Sequence, residues 1–139
     1  MTYRVLDHTG DIGIEVESKT LDGLFQEAGL AMFQEMIENF SEVQPRIIKT
    51  LSLQEHSLED LFLGFLSELL FYFDAEGFIP RELEIRVDPH LSMLSGTARG
   101  EPLNPDKHKV RLGIKAVTYH MLRIEKREDG WLARVIFDV

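Results

Sequence analysis

Near its start the chain alternates apolar and polar positions, the pattern of an extended backbone whose successive side chains point to opposite faces. Residues 2–8 read as a strand and 11–17 as a second, where Ile12, Ile14 and Val16 alternate with Asp11, Gly13, Glu15 and Glu17. His8-Thr9-Gly10 between them supplies turn chemistry. The period then lengthens. Leu21, Leu24, Phe25, Ala28, Met32 and Met36 share one face at helical spacing, predicting a helix over 21–38 with Thr20 as its N-cap. A strand-like stretch, Arg46 to Glu55, leads into a second helix over 58–74. There Leu58, Leu61, Phe62, Phe65, Leu66, Leu69, Leu70 and Phe73 make a face broad enough for the central core helix. Ser57 and Asp60 stand at the spacing of a capping box, with Asp in place of the preferred Glu.

Gly77 and Pro80 break the helical pattern, and strand periodicity takes over at 82–88, 91–99, 109–117, 119–127 and 131–138. Pro89-His90 and Asp129-Gly130 are turn signals, and Gly100 to Lys107, with Pro102 and Pro105, is the longest irregular stretch. The prediction is an α+β fold: a two-layer single domain over 1–139, with two helices packed on a mostly antiparallel sheet. Strand order does not follow from periodicity.

Length and composition agree with one globular core, since 139 residues with 44% hydrophobic and 28% charged suit a single domain. No stretch approaches the ~20 apolar residues of a bilayer span, and the N-terminus lacks the pattern of a signal peptide, so no membrane association and a cytoplasmic location are expected. The absence of cysteine excludes disulfides, a thiol nucleophile and thiolate metal sites. Net charge changes the picture more. At −9, from 24 acidic and 15 basic residues, the surface repels phosphate backbones. RNA would be reached only indirectly, through another protein or a bound cation that reverses the local sign. The same acidity suits docking on a basic protein surface.

Three segments could carry chemistry. Asp7-His8-Thr9-Gly10-Asp11 is the densest polar group, able either to offer oxygens to a hard cation or simply to satisfy its own backbone in an Asx-type turn. In the last strand Trp131, Ala133, Val135, Phe137 and Val139 form one apolar face, and Asp138 lies on the other with Leu132, Arg134 and Ile136. An apolar end of this kind is expected to be tied into the sheet, setting Asp138 beside a terminal carboxylate where a cation would relieve repulsion. The alternative is an exposed acid at a strand end. In Lys115-Ala116-Val117-Thr118-Tyr119-His120, His120 shares a face with Leu122 and Ile124, which fits a hydrogen-bonded core histidine or a ligand, and Tyr119 fits packing with its hydroxyl at the rim. No nucleophile elbow, Gly-rich phosphate loop or H-E-x-x-H motif is present.

Taken together, Asp7-His8-Thr9-Gly10-Asp11-Ile12, Lys19-Thr20-Leu21, Lys115 to His120 and the closing Val135-Ile136-Phe137-Asp138-Val139 resemble the archease family across nearly the whole chain. The resemblance implies a compact α+β domain. It also implies an accessory protein, not an enzyme, that activates an RtcB-type tRNA-splicing RNA ligase, promoting ligase guanylylation and multiple turnover. It further implies a divalent-cation site, Ca²⁺, Mg²⁺ or Mn²⁺, built from acids near both chain ends: Asp11, Asp138 and the oxygens of Val139. Asp7, His8, Thr9, Lys115, Tyr119 and His120 are supporting candidates. Gly10 stands where family members more often carry Ala, and Asp7 where Glu is common. Two other classes remain beside this reading: a metal-dependent hydrolase using Asp11 and Asp138, and a chaperone-like module whose acids are incidental.

Overall fold

The two helices start where side chains replace missing backbone partners. A computed structural model describes residues 2–8 and 10–139. The Thr20 hydroxyl accepts the N–H of Gly23 at 3.0 Å and opens α1 (Leu21–Met36). Ser57 does the same for Asp60 N–H at 3.0 Å, opening α2 (Leu58–Glu76). Asp60 does not complete the capping box, because its carboxylate accepts a tyrosine hydroxyl from elsewhere. Gly77, at φ 70°, closes α2 in the left-handed conformation that glycine tolerates, with its N–H on the Phe73 carbonyl at 2.8 Å. α1 ends short of the expected residue 38, since Ile37 turns extended and bridges Val110.

Among the described residues seven strands form two antiparallel sheets. One has the order β1 (Thr2–His8), β2 (Asp11–Ser18), β7 (Gly130–Asp138), β6 (Ala116–Arg127). The other has the order β3 (Ile47–Gln54), β5 (Met93–Pro102), β4 (Phe78–Asp88). The class is α+β as expected, but the strands divide between two sheets. Ile14, Val135 and Phe137 from the first and Leu51, Ile85, Leu94 and Ala98 from the second meet Phe25, Met32, Phe62 and Phe65 of the helices in one buried cluster. Phe25 and Phe62 pack edge to face with ring centroids 5.1 Å apart, a geometry worth about 1 kcal/mol beyond the area it buries.

Helix α1 also covers a sheet edge. The outward N–H groups of Ile85 and Val87 on β4 donate to Gln26 Oε1 and Asp22 Oδ1, each at 2.8 Å, so these donors find partners within the chain.

Two expectations are corrected. Residues 109–115 are not a strand, although Val110, Leu112 and Ile114 alternate correctly. Their backbone crosses the end of α1, where Arg111 N–H donates to the Met36 carbonyl at 2.8 Å and the Lys109 carbonyl accepts Glu38 N–H at 2.8 Å. The helix terminus therefore takes the groups a strand partner would need. The strand proper runs unbroken from Ala116 to Arg127 and replaces the pair expected at 109–117 and 119–127. Strands β4 and β5 are also longer than expected, taking in Phe78 to Pro80 and Gly100 to Pro102.

Candidate metal centre

Register decides what the two chain ends can do together. In the β2–β7 pair Asp11 stands directly opposite Asp138, Gly13 opposite Ile136 and Glu15 opposite Arg134. Directly opposed residues share a face, and Ile12, Ile14, Val135 and Phe137 occupy the other face toward the core. The acids thus lie on the outer face of the first sheet, in one row with His8 of β1 and Ala116 of β6. A Cβ at Gly13 would sit 2.5 Å from Ile136 Cδ1, so glycine there lets Ile136 lie flat across β2, behind the acid row.

Two carboxylates in directly opposed positions repel unless something positive intervenes. Arg134 and Arg4 are committed elsewhere, to Glu15. Arg134 Nη2 and Arg4 Nη2 each reach it at 2.8 Å, and its carboxyl is held below the usual range, first by the hydrogen bond from Arg134. Asp11 is only partly exposed, and its Oδ1 is buried without a hydrogen-bond partner among the described residues. A buried carboxylate oxygen left unmatched is costly, and a hard cation is the chemical partner such an oxygen fits. Asp138 is exposed, and Val139 packs its side chain against the core cluster. Asp11 and Asp138 offer only oxygen donors, the chemistry that suits a hard divalent ion over a soft one. Among the described residues no group of three or more His, Cys, Asp or Glu side chains gathers that could by itself hold a metal ion.

The supporting candidates divide. Lys115 joins the row through its backbone, its N–H donating to the Asp138 carbonyl at 2.7 Å, and its side chain is exposed. Asp7 and His8 are placed by register, opposite Ile12 and Asp11, and Thr9 lies outside the described residues. Gly10 takes φ +78°, the left-handed region where Ala is strained. Tyr119 reaches α2 and not the acids. A bulge shifts the β6–β7 register between Thr118 and Arg123, so alternation fails there. His120 is exposed, not on the core face with Leu122 and Ile124, which are partly buried. The Tyr119 hydroxyl donates to Asp60 Oδ1 at 2.8 Å, and that bond is the main reason its acidity is lowered below that of a free tyrosine.

Sequence reading missed a second carboxylate. Glu101 is 2% exposed, at the end of β5, where the sequence read as loop. Its Oε2 accepts from Lys107 Nζ at 2.8 Å and Gln44 N–H at 2.9 Å, and contacts His108 Nε2 at 2.9 Å, while Arg46 Nη2 reaches Oε1 at 3.1 Å. Burial alone would raise its pKa, but the bonds from Lys107, Gln44 and His108 hold it at about 2. The His108 Nδ1 accepts Asn104 N–H at 2.9 Å, which places the ring proton on Nε2, facing Glu101. Its only sequence signal was the proximity of Glu101, Lys107 and His108 around a proline-rich stretch.

Comparison with known proteins places this geometry in context. A profile of the archease protein family matches residues 3–139. The archease of Thermococcus kodakarensis is 36% identical over 136 residues, covering 96% of this chain and 95% of that protein. The archease of Methanosarcina acetivorans is 36% identical over 140 residues, covering 99% and 95%. The solution structure of Methanobacterium thermoautotrophicum protein 1598 superposes with a TM-score of 0.84 at 30% identity, covering 99% and 98% of the two chains. A Thermotoga maritima archease, described as a possible chaperone, shares the fold with a TM-score of 0.65 at 23% identity, covering 96% and 94%.

Proposed function

Because this chain belongs to the archease family, we propose that it is an accessory protein that activates an RtcB-type tRNA-splicing RNA ligase, promoting guanylylation of the ligase and its multiple turnover. The observation that carries the reading is the Asp11–Asp138 pair, with one buried Asp11 oxygen lacking a donor, on a face the helices do not cover. Asp11, Asp138 and the backbone oxygens of Val139 would hold a divalent cation, Ca²⁺, Mg²⁺ or Mn²⁺. Once bound, that cation supplies positive charge where triphosphate or phosphate oxygens gather.

The chain's own residues keep the pair in place. The β2–β7 ladder fixes the two backbones, the Lys115 N–H holds the Asp138 carbonyl, and Ile136 over Gly13 closes the row from behind. A net charge of −9 keeps RNA from binding directly, so the nucleic acid meets only the ligase. No helix among the described residues is long and apolar enough to cross a membrane.

The test is multiple-turnover RNA ligation by the cognate ligase with GTP and Mn²⁺, adding wild type, Asp11→Ala or Asp138→Ala protein. Stimulation by wild type that both variants lose is the expected result. An active ligase that wild type leaves unchanged would overturn the reading. RNA or nucleotide hydrolysis by the chain alone would favour the hydrolase class instead.

A further inference from the structure

The Tyr119–Met121 bulge takes no part in the core or in the acid row. β6 pairs with β7 through Thr118, loses register, and resumes at Arg123. Within the gap Tyr119 is 62% and Met121 45% exposed, with His120 also exposed between them. Met121 adopts φ +55°, the left-handed region that side-chain-bearing residues avoid. The chain thus tolerates a costly backbone to hold two large side chains in water. The Tyr119 ring is already fixed, since its hydroxyl bonds Asp60 at 2.8 Å, so docking against it forfeits little rotamer freedom.

We propose that this ridge is the anchor by which the chain docks on a basic protein surface, that of its RNA-ligase partner; the identity of the partner rests on the function proposed above. Two observations select that occupant. Acids flank the ridge: Asp60 holds Tyr119, Glu55 acts on its charge, and the exposed Glu59 shares the first turn of α2. An anchor with Asp60 and Glu55 beside its tyrosine, on a chain of net charge −9, disfavours RNA and a second copy. A protein that binds RNA must carry Lys and Arg near its substrate groove, and it meets this charge with the complementary sign. Finally, Ala116 faces Asp138 on the outer face, while Tyr119, three residues further along the edge strand β6 and on the order of 10 Å away, turns toward α2, so the ridge and the acid row meet around one sheet edge.

The experiment separates anchoring from activation. Binding of the chain to the cognate ligase is measured by isothermal titration calorimetry, and maximal stimulation of ligation at saturating protein is measured in parallel. Met121→Gly removes the side chain at a backbone angle glycine prefers and so keeps the fold; Tyr119→Ala removes the ring. Each is expected to raise Kd at least tenfold while maximal stimulation is retained. Asp138→Ala is expected to do the reverse. Unchanged Kd in both ridge variants would overturn the proposal, as would a wild type that does not bind. A dimer of the chain alone in ultracentrifugation, lost in both variants, would assign the ridge to a second copy instead. Wild type that binds through the ridge yet does not stimulate would defeat the activator reading and leave the anchor standing.

Discussion

Glu101 and Asp11 are both carboxylates withdrawn from water in a chain that carries a large negative charge, and they are treated in opposite ways. Glu101 is surrounded by Lys107, His108, Gln44 N–H and Arg46, so its charge is fully answered by its own chain. Asp11 keeps one buried oxygen without a donor and stands opposite a second acid. A satisfied buried acid rigidifies the fold, because each partner's removal leaves the others desolvated and unmatched. An unsatisfied one is retained at a cost in stability, which is what a site awaiting a positively charged ligand looks like. The contrast marks Glu101 as structural and supports the metal-holding role proposed for the Asp11–Asp138 pair.

The comparison breaks first at Glu101. Glu101→Ala should lower stability by about 3 kcal/mol, read by urea denaturation, because it leaves the buried His108 facing a void. A loss under about 1 kcal/mol would remove the structural reading.

Acid sharpens the same point. The folded pKa of Glu101, about 2, lies below the ordinary 4.5, so the unfolded chain binds the extra proton between those values. Its contribution is complete above pH 4.5 and lost as the pH falls toward 2. Between pH 6 and pH 3 wild type should lose roughly 2 kcal/mol that Glu101→Ala does not lose.

A smaller effect is expected beside the acids. Gly10→Ala must place a side chain at φ +78° and should cost about 1 kcal/mol, although nothing within 4 Å obstructs the new Cβ. Thermal melts of the two proteins without added metal test it.

The least change is expected at the acids themselves. Without divalent cation neither Asp11→Ala nor Asp138→Ala should lose stability, since neither breaks a bond the fold depends on, and Asp11→Ala should gain about 0.5 kcal/mol by removing the unmatched buried oxygen. With Ca²⁺ or Mn²⁺ present, wild type should gain thermal stability that both variants fail to gain, by mass action on the folded state. A large loss in metal-free protein would make the pair structural.

Much of this was legible in the chain. The helical faces and both N-caps, Thr20 and Ser57, appear where spacing and residue type place them. The separation of Asp11 and Asp138 from the core face follows from alternation alone and holds in the sheet. Residues 109–115 show the limit: Val110, Leu112 and Ile114 alternate as a strand would, but their backbone is claimed by the end of α1. His120 shows another, because a bulge inverts the alternation on which its burial was read.

The sequence by itself determined the local periods, the caps, the acidic surface and the motifs that resemble one family, since each depends on neighbours along the chain. Tertiary structure alone decided that the strands split into two sheets and that Glu101 is buried among four partners. It also set Asp11 and Asp138, near opposite ends of the chain, face to face across β2 and β7. Such pairings depend on which distant segments share a ladder, and strand register is fixed by the packing of the whole core.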